Sequence, residues 1–229
     1  MITPLTHPSS TTTDSDRTGD VPEQQRAAAA ALGHELRVLV DTAVRTSASP
    51  DVLHRAADDV RRLTGRLTGR QRARGEIPAT DEFPGGVRMY SPVTGYGSPL
   101  APPLRVTPVE GGLSGACVLG AAHEGPPGYG HGGMSAMLLD ELMGRACAAA
   151  GMPAMTVSLR LRYHRPVVLD VPLRVHAHVT GTKGRTITVA GSITTDEDPA
   201  TALVTAEGVF VSPEPDHARA LFPGMRENG

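Results

Sequence analysis

Hydrophobic positions change their period along this chain, and the changes divide it into three parts. From residue 25 to about 73 apolar residues recur at helical spacing. In "EQQRAAAAALGHELRVLVDTAVRT" these are Leu32, Leu36, Leu39, Val40 and Ala43. In "SASPDVLHRAADDVRRLTGRL", Val52, Leu53, Ala56, Val60 and Leu63 form one stripe, and Ser47 or Ser49 stands where a cap belongs. The pattern predicts two helices joined by a short turn, with arginine-rich polar faces turned to solvent. Residues 74–104 have no period and carry Gly and Pro throughout; a stretch of that length is functional or wraps over something.

From about residue 105 the period drops to two. Val157, Leu159, Leu161 and Tyr163 alternate with Thr156, Ser158, Arg160, Arg162 and His164. Leu173, Val175, Ala177 and Val179 alternate with Arg174, His176, His178 and Thr180. "RTITVAGSITT" and "TALVTAEGVFVS" continue the pattern, and "GTKGR" at 181–185 reads as a hairpin turn. One segment interrupts the strands. Residues 133–150 are apolar around most of a helical circumference, through Met134, Met137, Leu138, Leu139, Leu142, Met143, Ala146 and Cys147, and Gly151 and Pro153 stop the helix. A helix apolar nearly all round is a buried one. Two strands, one buried helix and four strands predict an antiparallel sheet wrapped around a central helix.

The expected organisation is a disordered tail over 1–24, a helical extension and linker over 25–80, the sheet-and-helix domain over 81–213, and a C-terminal tail over 214–229. Composition narrows the function. A net charge of −2 leaves no electrostatic footprint for nucleic acid or an anionic membrane. No Trp, three Phe and four Tyr make no base-stacking platform. No apolar run nears the ~20 residues of a membrane span, and the polar N-terminus has no signal-peptide core. Cys117 and Cys147 lack metal-type spacing and are too few for a disulfide framework, so a reducing, cytoplasmic setting is expected.

The chemistry concentrates in "GYGHGGMSAMLLDELMG", residues 128–144. "GHGG" puts unobstructed amides at a helix N-terminus, where orphan N–H groups and the helix dipole receive an anion or a polarised carbonyl oxygen. Asp140 shares a helix face with Gly133, Met137, Gly144 and Cys147, and Glu141 is turned about 100° away. An unpartnered buried acid is costly. Asp140 is therefore either structural, satisfied by a neighbour such as Arg145, or faces a cleft and moves protons. Gly132 and Asp140 are eight residues apart, roughly 12 Å along the axis. One helix does not easily bring both to one reacting carbon; two antiparallel copies related by a two-fold axis do.

"PPGYGHGGMSAMLLDELMGRA", followed by "TVSLRLRYHRPV" and the repeated strands to "AEGVFVS", resembles the hotdog-fold acyl-CoA thioesterases of the PaaI (phenylacetyl-CoA thioesterase-like) type, over residues 95–212. The resemblance implies an α+β hotdog fold, here with an N-terminal helical extension, assembled as a homodimer or a dimer of dimers. It implies hydrolysis of a fatty or aryl acyl-CoA, with coenzyme A as part of the substrate and no cofactor. Gly132 would supply the amide that polarises the thioester carbonyl, with His131 beside it. Asp140 would be general base or nucleophile, and Thr156 would position the water or the carboxylate. Some relatives carry an Asn six residues before the histidine; this chain has Gly125, as other members do.

Substrate contacts are expected from Gly133 and, for the coenzyme phosphates, from Arg160, Arg162, Arg165, Lys183 and Arg185. Glu141 reads as a surface or interface acid. Ser135 has no evident base beside it and is no nucleophile. His176 and His178 resemble a chelating pair without a third ligand, and no metal is expected. The alternative function is a non-catalytic acyl-CoA- or lipid-binding hotdog protein. A hotdog dehydratase is disfavoured because "GHGG" does not match a His-Phe-Pro loop.

Overall fold

The computed structural model describes residues 15–81 and 88–214, with side chains from Glu23 onward. Its elements are α1 (Ser15–Arg45), α2 (Pro50–Leu67), β1 (Arg105–Val109), β2 (Gly112–Val118), a 3₁₀ turn (Ala121–His123), α3 (Gly132–Ala149), β3 (Met155–Tyr163), β4 (Pro172–Lys183), β5 (Thr186–Thr195) and β6 (Val204–Val211). The strands form one sheet in the order β1-β2-β4-β5-β6-β3, antiparallel at every pairing. Helix α3 lies against one face of it. Leu138, Leu139, Leu142, Met143 and Cys147 are fully buried there against Val175, Ile187, Ile193, Val204 and Phe210. This is the hotdog arrangement, and the strand–helix–strand order matches the periodicity. Two strand glycines let the helix approach: a Cβ at Gly208 would lie 2.8 Å from Met143 Cε, and one at Gly191 3.0 Å from Leu139 Cδ2.

The two sheet edges differ. Strand β1 is five residues long and contains Pro108, which cannot donate to a further strand. Strand β3 is nine residues long without proline, and it exposes Met155, Val157 and Tyr163 at 51, 66 and 55%. Its start carries a bulge between Thr156 and Ser158.

The N-terminal region departs from expectation in two places. Helix α1 begins at Ser15, inside the stretch assigned to a disordered tail. Extending a helix already nucleated costs little per residue, so polar sequence is carried along. Residues 1–14 and 215–229, which hold the rest of the expected tails, lie outside the described residues. Helix α2 starts at Pro50 after Ser49, whose hydroxyl makes no cap bond, and it buries none of its residues. The stripe through Val52, Leu53, Val60 and Leu63 stays 37–46% exposed.

Helix α1 is docked. Arg37 donates to the carbonyls of Tyr96 and Ser98, both at 2.8 Å, and Asp41 Oδ1 accepts from the amide of Ala121 at 3.1 Å. Burial lowers the Arg37 pKa from its ordinary value. Beneath α1 the Pro/Gly stretch buries Met89, Val93, Ala101 and Leu104, so it wraps over the core as its aperiodic sequence suggests.

Gly33 sits where α1 crosses this stretch, and an added Cβ would lie 2.2 Å from the Tyr96 carbonyl oxygen and 2.6 Å from Gly97 Cα. Gly33→Ala is expected to cost about 1–3 kcal/mol, read as a lower urea midpoint; an unchanged midpoint would show that α1 docks elsewhere. Burial also raises the two thiols from an ordinary 9.0, Cys117 to about 12 and Cys147 to about 11. The folded form holds these protons and the unfolded form releases them, so stability falls as pH rises from 9 through 11–12. Iodoacetamide at about pH 8, near the ordinary thiol range, is expected to spare both cysteines in the folded chain and modify both in urea.

Candidate active site

Helix α3 presents chemistry at two places. The first is its N-terminus. His131 is the N-cap, with extended backbone (φ −61°, ψ 135°), and its Nδ1 accepts the Gly133 amide at 3.0 Å. An Nδ1 that accepts leaves the ring proton on Nε2. The Met134 amide goes to the His131 carbonyl at 2.8 Å, and the His131 amide goes to the carbonyl of His123 at 2.9 Å. The Gly132 N–H has no acceptor among the described residues. Its carbonyl accepts the Tyr163 hydroxyl at 2.9 Å, and a Cβ at Gly132 would sit 3.3 Å from that hydroxyl. A cavity of about 350 Å³ opens on this helix end, lined by Gly132, Ser135, Tyr129, Tyr163, Arg165 and Val167 among others.

The second place is two turns along. Asp140 is partly exposed and turned toward β3, where the Thr156 hydroxyl donates to Oδ1 at 2.7 Å. Oδ2 has no protein partner among the described residues. A carboxylate anchored at one oxygen and open at the other can receive a proton or attack an electrophile. Neither Asp140 nor Thr156 lines the cavity at the Gly132 end.

Glu141 faces the other way. Arg145 Nε donates to it at 2.8 Å, and Arg145 also donates to the Thr94 hydroxyl at 3.0 Å, with Thr94 only 4% exposed. This corrects the suggestion that Arg145 partners Asp140. Residues four apart share a helix face, whereas the five-residue step from Asp140 turns Arg145 away.

The cationic candidates fall into three groups. Arg160 and Arg162 are exposed on β3, in register with Glu207 and Thr205. Arg165 lies past the far end of β3, on the cavity. Lys183 and Arg185 flank the turn at Gly184, and Arg185 is paired with Glu214 at 2.9 Å. That turn is at the Met155 end of the sheet, because Thr186 pairs with Val211 and Val211 with Met155. One protomer therefore does not gather Arg165 and Lys183 into a single patch. His176 and His178 stand on the sheet face away from α3 with ring centroids 5.4 Å apart. Burial, and then His178, lowers the His176 pKa. Among the described residues no three His, Cys, Asp or Glu side chains group as metal ligands, and no helix is long and apolar enough to cross a membrane.

Sequence reasoning misses Tyr163 as a site residue. Its alternation with Leu159 and Leu161 puts it on the core face, but β3 has run past the end of the core there, and the ring meets the helix terminus instead. The signal was available in the phenol, since a buried or half-buried tyrosine hydroxyl seeks a partner.

Known proteins bear on this geometry. The thioesterase superfamily model matches residues 127–202, from the loop before α3 through β5 to the turn before β6. A thioesterase superfamily protein of known crystal structure is 34% identical, with a TM-score of 0.72 over 80% of this chain and 94% of its own. The sheet and α3 span under half of the chain, so that match takes in part of the N-terminal region as well. The phenylacetic acid degradation protein PaaI from Thermus thermophilus, as a point mutant, is 23% identical over 48% of this chain and 93% of its own, with a TM-score of 0.44. A hypothetical thioesterase crystallised with coenzyme A from Streptococcus pneumoniae is 17% identical over 47% and 86%, also with a TM-score of 0.44. By its family match and its 34% identity across nearly the whole of a superfamily structure, this chain belongs to the thioesterase superfamily.

Proposed function

We propose that the chain hydrolyses the thioester of an acyl-CoA, at a site completed by a second copy of itself. The observation that carries the reading is the placement of the two half-sites. The free Gly132 amide lies beside Tyr163 and the Thr156-held Asp140 lies beside the start of β3, so they flank opposite ends of one unpaired edge strand. Seven residue steps along the strand separate Thr156 from Tyr163, roughly 23 Å. Antiparallel pairing of two β3 strands about a point between Leu159 and Arg160 sets Thr156 of one protomer opposite Tyr163 of its partner. Each carboxylate then meets the other helix's free amide, and the exposed Met155, Val157 and Tyr163 are covered. The same operation brings Arg165 of one protomer toward Lys183 and Arg185 of the other, a cationic end suited to coenzyme phosphates.

In this reading the thioester oxygen accepts from Gly132 N–H, and the negative charge that grows on it is stabilised by the helix end. Thr156 fixes Asp140 Oδ1, and Oδ2 takes a proton from the attacking water. The tetrahedral intermediate collapses by expelling the coenzyme thiolate, leaving the free acid. His131 keeps the helix end open to substrate at Gly132 by capping the neighbouring Gly133 N–H.

Release of CoA thiol from a panel of straight-chain and aryl acyl-CoAs tests the activity. Asp140→Asn is expected to lower kcat by about 10²–10⁴-fold and Thr156→Ala by about tenfold or more. Acyl-CoA binding by wild type without thiol release would assign the chain to the non-catalytic binders.

Gly132→Pro tests the shared site. It deletes one N–H at the first helical position, where proline is tolerated, after a residue already extended. Gly132→Pro and Asp140→Asn are each expected to keep about 1% of wild-type activity or less alone. Unfolded together and refolded, they are expected to regain about a quarter of wild-type activity, since half the dimers are mixed and each mixed dimer has one complete site. No recovery on mixing would place both groups of each site in one chain.

A further inference from the structure

The cavity at the N-terminus of α3 holds a polar group that the reaction described above does not use. Ser135 is 2% exposed, yet its hydroxyl has no hydrogen-bond partner among the described residues. Among the described residues the side-chain oxygens and nitrogens sealed from solvent without a partner are Thr80 Oγ1 and His178 Nδ1, neither of them on this cavity; Ser135 Oγ is not among them, so its small accessible area opens on the cavity it lines. A helical serine usually satisfies itself on the carbonyl four residues back. Here the hydroxyl makes no bond to that carbonyl, of His131, which accepts the Met134 amide. A nearly buried hydroxyl left free carries a cost unless something in the cavity receives it.

Direction makes that something specific. Helical side chains lean toward the N-terminus, over the preceding turn. Ser135 is three residues after Gly132, on the same face and roughly 5–6 Å from it. The serine hydroxyl and the free Gly132 N–H therefore converge on one region of the cavity. The amide donates and the hydroxyl is able to donate, so a single oxygen acceptor in the cavity would satisfy both. Backbone beside the histidine cap contributes no other donor, because the Gly133 amide is occupied by the His131 ring.

We infer that Ser135 is a substrate-binding catalytic residue, its hydroxyl donating beside Gly132 N–H to the acyl carbonyl oxygen. This rests on the thioesterase reading and adds the second donor of its oxyanion pocket, in a chain where Gly125 leaves the preceding loop without a side chain to serve. The hydroxyl keeps its proton throughout; it neither attacks nor transfers, and no acyl-serine forms.

The test uses the full-length chain with hexanoyl-CoA and phenylacetyl-CoA. Ser135→Ala removes the donor at a position where alanine favours the helix, so the melting temperature is expected to hold or rise while kcat falls by about 10²–10³-fold, as for loss of one oxyanion donor. Ser135→Thr, which keeps the hydroxyl, is expected to retain more activity than alanine. A merely structural serine would not move the bound carbonyl. In the slow Asp140→Asn background, the stretch of a ¹³C=O-labelled acyl-CoA is expected to shift to higher frequency when Ser135 is also replaced by alanine. Activity of Ser135→Ala within about twofold of wild type, far short of the loss of an oxyanion donor, would overturn the inference while leaving the hydrolase standing. So would a loss confined to KM, or an unmoved carbonyl stretch. A wild type that releases no thiol from any acyl-CoA would overturn the hydrolase and this inference together.

Discussion

The rise of an α-helix sets the terms for everything in this molecule. Gly132 and Asp140 are fixed on one rigid rod, two turns apart, and no side-chain rotation closes a gap of that size. Burial of the rod is what makes it rigid. Leu138, Leu139, Leu142 and Met143 are fully enclosed by the sheet, and strand glycines at 191 and 208 are cut to its profile. A helix held this way cannot bend to bring its amide and its carboxylate together. It can only offer them separately, at the two ends of the strand beside it. The proposed pairing gives that unpaired edge a purpose, and the contrast with β1 is in keeping with it. One edge is short and carries a proline, while the other is long, without proline and apolar at three exposed positions.

Two adjacent acids on this helix show how a rotation of about 100° separates roles. Glu141 is enclosed in a structural cluster: Arg145 reaches it one turn on, and Thr94 from the Pro/Gly stretch receives the same guanidinium. The cluster ties the wrapped segment to α3. Asp140, one residue earlier, has a single hydroxyl partner and an open oxygen. The carboxylate with the fewer protein contacts is the one proposed to act on a ligand.

Most of the fold was legible in the sequence because it rests on periodicity. The change from period 3.6 to period 2, and the one segment apolar all round, specify a helix against a sheet without any knowledge of tertiary contacts. Likeness to a known family left Thr156 positioning either the water or the carboxylate, and strict alternation puts it with Arg160 and Arg162 on the face away from α3; the bulge between Thr156 and Ser158 corrects this, setting Thr156 opposite the buried Phe210 and within reach of Asp140. Physical reading alone left Arg145 as a partner for Asp140, and only the helical register decides otherwise. Tyr163 and Ser135 were hidden for related reasons. Alternation assigns a residue to a face but does not say where the core stops, and an apolar helix pattern does not reveal that one of its small polar residues opens on a cavity. The apolar stripe of α2 is the converse case: periodicity predicts the helix correctly and says nothing of whether the protein itself covers that face.

The N-terminal extension acquires a role from the same chain of contacts. Arg37 on α1 grips the carbonyls of Tyr96 and Ser98, and Gly33 allows the helix to lie directly on that backbone. The segment so pinned carries Thr94 into the Arg145–Glu141 cluster, one residue along α3 from Asp140. Asp41 reaches the Ala121 amide at the start of the turn whose last residue, His123, accepts the His131 amide. The extension thus braces both ends of the chemically important half of α3, the cap through His123 and the mid-helix through Thr94. In the shared site proposed above, the amide and the carboxylate of α3 each meet a partner across an interface, and such a site tolerates little displacement, because an error of about 1 Å at a reacting centre costs on the order of 10²-fold in rate. On that proposal the docked helix α1 has a physical reason to accompany the sheet: through the Pro/Gly stretch and the 3₁₀ turn it steadies the face of α3 that the sheet does not cover.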